Sequence, residues 1–130
     1  LKGGTNGTLG SLTSEDYTKA IAVLRKKDPT YHGVTALGCY DDKALKALAE
    51  LAEDARVSLY YDIEPNLSYA DALTRQVSLG ISTHFACAYH IPYSANDPFF
   101  NNLSSSGLSG FAFAAKAAVL RRRFLLVVGI

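Results

Sequence analysis

Apolar residues recur every three to four positions in four stretches of the chain, and short apolar runs lie between those stretches. In the first stretch Tyr17, Ala20, Ile21 and Leu24 share one face of a helix. Thr13 is placed to cap it, Asp16 can reach back from the third position, and Leu12 can staple onto Tyr17. Asp28-Pro29 stops the helix, because a residue before proline is driven out of the helical region. Val34 to Leu37 reads as a short strand closed by Gly38. Asp41 or Asp42 then caps a second helix whose buried stripe is Leu45, Leu48, Leu51, Ala52 and Ala55. Lys43, Lys46, Glu50 and Glu53 occupy its wet side. Val57 to Tyr61 is almost continuously apolar, as expected of a strand covered on both faces.

Ser68-x-x-Asp71 is another capping box, and it opens a helix through Tyr69, Leu73 and Val77. Phe85 to Tyr89 reads as a third buried strand, and Pro92 to Ser106 as a long, polar, irregular loop. Gly107 to about Arg122 is an Ala-rich helix presenting Leu108, Phe111, Ala112, Ala115 and Val119. Residues 124–130 form an apolar tail, either a strand or a poorly ordered end. Helices alternating with strands imply right-handed crossovers and a mainly parallel sheet flanked by helices. The expectation is therefore a single α/β domain over residues 13–123, with a glycine-rich lead-in at 1–12. No strand precedes the first helix and no methionine begins the chain, so the sequence is expected to be a fragment of a larger protein.

Composition changes this picture little. The chain has 130 residues, 48% of them hydrophobic and 19% charged, which is ordinary for one globular domain. A net charge of +1 gives no global electrostatic reason to expect nucleic acid or an anionic membrane as partner. Arg25-Lys26-Lys27 and Arg121-Arg122-Arg123 end helical patterns, where cations suit the helix dipole. No stretch approaches the ~20 apolar residues of a membrane helix. Cys39 and Cys87 lie in apolar runs without metal-ligand spacing and read as buried free thiols.

Candidate chemistry gathers where two strands end. Ligands of open parallel sheets bind beyond the carboxyl ends of the strands. Asp41 and Asp42 follow one strand, and Asp62 and Glu64 follow the next. Four carboxylates converging there can hold a hard divalent cation for hydrolytic or phosphoryl-transfer chemistry. The competing explanation is structural: Asp41 and Asp42 cap a helix, and Asp62 and Glu64 flank the turn at Pro65. His84 and His90 bracket the third strand without an evident third ligand. Ser109 lacks the G-x-S-x-G setting of a nucleophile elbow, and Lys2 to Thr8 lacks the lysine and helix start of a phosphate-binding loop. Phe99-Phe100 differs from the other aromatics because it falls in the polar loop, where an exposed pair would anchor a protein partner.

Several segments together resemble a known family. Gly3-Gly4-Thr5-Asn6-Gly7, followed by Asp16-Tyr17 and an amphipathic helix, is similar to the opening of contractile-phage tail sheath proteins. Val57 to Pro65 (VSLYYDIEP) and Phe85 to Pro98 (FACAYHIPYSANDP) resemble two of their strand segments. Ser105 to Ala112 (SSGLSGFA) looks like their serine–glycine helix start. The resemblance covers about residues 3–115 in consistent order. It implies a virion structural subunit, made in the bacterial host cytoplasm, that self-assembles into six-fold rings around the tail tube protein and contracts during injection. No cofactor, active site or membrane insertion is implied. The expectations from other classes are a small metal-dependent enzyme using Asp41, Asp42, Asp62 and Glu64, and a non-catalytic α/β protein-binding module.

Overall fold

Thr13 and Asp16 begin the first helix as their spacing predicts. In the computed structural model, which describes residues 3–4, 11–26, 31–90, 93–96, 103–106 and 109–120, the Thr13 amide and hydroxyl both donate to Asp16 Oδ2, at 2.9 and 2.8 Å. Helix α1 follows (Ser14–Lys26), then β1 (Gly33–Ala36), α2 (Asp42–Ala55), β2 (Ser58–Asp62), α3 (Tyr69–Leu79) and β3 (Ala86–Tyr89). A two-stranded antiparallel pair, β4 (Tyr93–Asn96) and β5 (Leu103–Ser106), precedes α4 (Ser109–Leu120). The order β1-β2-β3 is parallel throughout, with Val34 opposite Leu59 and Leu59 opposite Ala86. The fold is thus an α/β domain with a parallel sheet flanked by helices, as the alternation predicts.

The alternation of side chains along β2 assigns each helix to a face. Leu59 and Tyr61 join Val34 and Ala36 in the main core, with Leu45, Leu48, Leu51 and Ala52 of α2. The α2 stripe is buried where its periodicity places it, and Ala55 is half-buried beside it. Helix α3 lies on this same face, because Tyr61 donates its hydroxyl to Gln76 Oε1 at 2.8 Å. The other face of β2 belongs to α4. Ser109 bonds Asp62, Phe113 meets Tyr60 edge-on with ring centroids 5.9 Å apart, and Lys116 Nζ donates to Ser58 Oγ at 2.5 Å. Helix α1 packs outside α2, burying Ile21, with the exposed Arg25 reaching Glu50 and Asp54 at 3.5 and 3.3 Å.

Where the structure departs from expectation, polar ties explain it. Tyr69, Leu73 and Val77 of α3 point to solvent, 75%, 52% and 80% exposed; Ala72 and Leu79 are buried instead. Arg75 and Gln76 have inward partners on the sheet side, which rotates the apolar stripe outward. In α4 Phe111, Ala115 and Val119 are likewise exposed, and among the side chains described Ser109 and Phe113 are buried. Strand β3 is an edge strand with Cys87 and Ala88 exposed rather than a buried one. Part of the expected loop from Pro92 to Ser106 is the β4–β5 pair. Phe99, Phe100, Leu108 and the 124–130 tail lie outside the described residues. Gly80 closes α3 at φ 62°, a left-handed conformation that glycine adopts without a Cβ clash.

The two thiols therefore differ. Cys39 is buried, and burial pushes its thiol pKa up; Cys87 is exposed on the sheet edge. A thiol reagent such as Ellman's reagent is expected to modify Cys87 in the native protein and Cys39 only after unfolding. Equal native rates would contradict the packing of Cys39.

Candidate functional site

All four carboxylates lie where α/β domains bind ligands, at the carboxyl ends of β1 and β2 and in the segments that follow. Asp41 is the N-cap of α2: its Oδ1 accepts from the Ala44 amide at 2.8 Å. Its Oδ2 accepts from Ser14 Oγ at 2.6 Å, which ties the start of α1 to the start of α2. Both oxygens of Asp41 thus have protein donors.

Asp42 and Glu64 are brought together by Arg75, which α3 projects back over the strand ends. The guanidinium Nη2 bonds Asp42 Oδ1 at 2.5 Å and the Tyr40 carbonyl at 3.0 Å, while Nε donates to Glu64 Oε1 at 3.0 Å. One planar cation thereby closes three segments of chain, a geometry that lysine cannot reproduce. The bond from Arg75 holds the Asp42 carboxyl below the usual carboxylate range, and the same bond raises Arg75. Burial, with the fields of Asp62 and Glu64 behind it, pushes the Tyr40 phenol up.

Asp62 does different work. It is 2% exposed, and Ser109, the first residue of α4, is fully buried against it. The Ser109 amide donates to Asp62 Oδ1 at 2.9 Å and its hydroxyl to Oδ2 at 2.5 Å. A carboxylate from the strand therefore satisfies the first amide of the helix and complements the positive end of the helix dipole. Gly110 follows, packed against Leu37 in the turn after β1. A Cβ there would stand 2.8 Å from Leu37 Cδ2.

Chemically this arrangement is closed. A nucleophile has to reach its substrate, and Ser109 is 0% exposed. A divalent cation at Asp42 and Glu64 would have to displace a guanidinium that already neutralises them. Among the described residues no group of three or more His, Cys, Asp or Glu side chains is placed to hold a metal ion. His84 lies in the turn before β3, its ring 4.2 Å from that of Phe85, and His90 follows the other end of the strand. The two histidines are not brought together. His90 Nε2 is buried without a hydrogen-bond partner.

Two polar residues of the framework escape the sequence reading, Arg75 and Lys116. Each is the one cation of its helix, a signal that it needs a fixed partner when the helix packs on a sheet. Lys116 sits 5.4 Å from the Tyr60 ring centroid in addition to its bond to Ser58.

Arg75→Met is expected to cost about 1 kcal/mol at neutral pH, the scale of partly exposed ion pairs. The Asp42 carboxyl titrates lower in the folded chain than in the unfolded one, so its stabilisation is complete above the unfolded value of about 4. It is lost as pH falls through the lowered folded value. Urea denaturation should therefore show the gap between wild type and Arg75→Met closing in acid. A gap independent of pH would contradict the assignment.

No protein-family model matches the chain, and no curated protein matches it.

Proposed function

We propose that this chain is the rigid core of a self-assembling structural subunit of the contractile tail-sheath type, acting through its surfaces and without an active site. One observation carries the reading. Two of the segments that resemble the sheath family, the strand ending in Asp62 and the helix start at Ser109, are bonded to each other across 47 residues of sequence. Their residues are thereby accounted for as framework, in the order the family pattern has them. The engagement of Asp41, Asp42 and Glu64 by chain donors also favours structure over metal chemistry.

In this role the domain stacks in rings with other copies around a tube protein, and the work of contraction comes from rearranging contacts between rigid bodies. High-speed sedimentation of the expressed protein tests the reading. A sheath subunit pellets as polymer; a protein that stays in the supernatant at every concentration and salt tried is a module of another kind.

A further inference from the structure

We draw no further inference here: the strongest candidate, the exposed apolar face of α3 formed by Tyr69, Leu73 and Val77, carries none because nothing in the structure shows what covers it.

Discussion

Asp62→Ala is expected to lower the stability of the domain by about 3 kcal/mol, the sum of two hydrogen bonds to a charged acceptor. The carboxylate is 2% exposed and takes both the amide and the hydroxyl of Ser109, which is itself fully buried. Removing it strands two donors that water cannot reach and deletes the cap of α4. Asp62→Asn keeps one carbonyl acceptor and should cost roughly half as much. The loss has a direction in space. Phe113 and Lys116 hold the rest of α4 to Tyr60 and Ser58, so α4 is the element that loosens first. Amide hydrogen exchange should show protection falling in α4 while α2 and the strands keep theirs. Uniform loss across all elements would mean that Asp62 is no specific tie.

Leu59→Ala supplies the contrast. Leu59 is fully buried in the middle strand, on the face shared by α2 and α3. Truncating it opens a cavity and is expected to cost about 3 kcal/mol, within the range for buried leucine. Here exchange protection should fall together in β1, β2, β3 and α2, because these elements share one core. Denaturant melts of the two variants then resemble each other in size but not in where the structure opens. A Leu59→Ala cost below about 1 kcal/mol would contradict the packing described.

How much of this was legible in the sequence depended on whether a helix had one reason or two for its orientation. Helix α2 had one: its leucines and alanines mark a single face, its lysines and glutamates the other, and Asp41 caps it. The two capping boxes were equally plain, because Thr13–Asp16 and Ser68–Asp71 are local contacts. In α3 the apolar pattern and the polar ties compete. Arg75 and Gln76 find partners on Tyr40, Asp42, Glu64 and Tyr61, and those partners come from segments that sequence spacing cannot bring together. Helix α4 is apolar nearly all round, so its periodicity marks no face; Ser109, Phe113 and Lys116 choose it. The third strand misled for a related reason. Its apolar residues fit a central strand, yet no fourth strand flanks it among the described residues.

The acid cluster shows the same limit at the candidate site. Chain order placed Asp41, Asp42, Asp62 and Glu64 near the strand ends. It did not reveal that Arg75 and Ser109 reach three of them from elements further along the chain. A carboxylate cluster reads as a metal site until its cations and donors are found.

The proposal that this domain works by assembling is tested most directly by electron microscopy of the expressed protein. The account predicts hollow tubes or stacked rings of uniform diameter. A well-folded protein that remains single particles across concentration and salt, and that gains stability from a divalent cation, would contradict it.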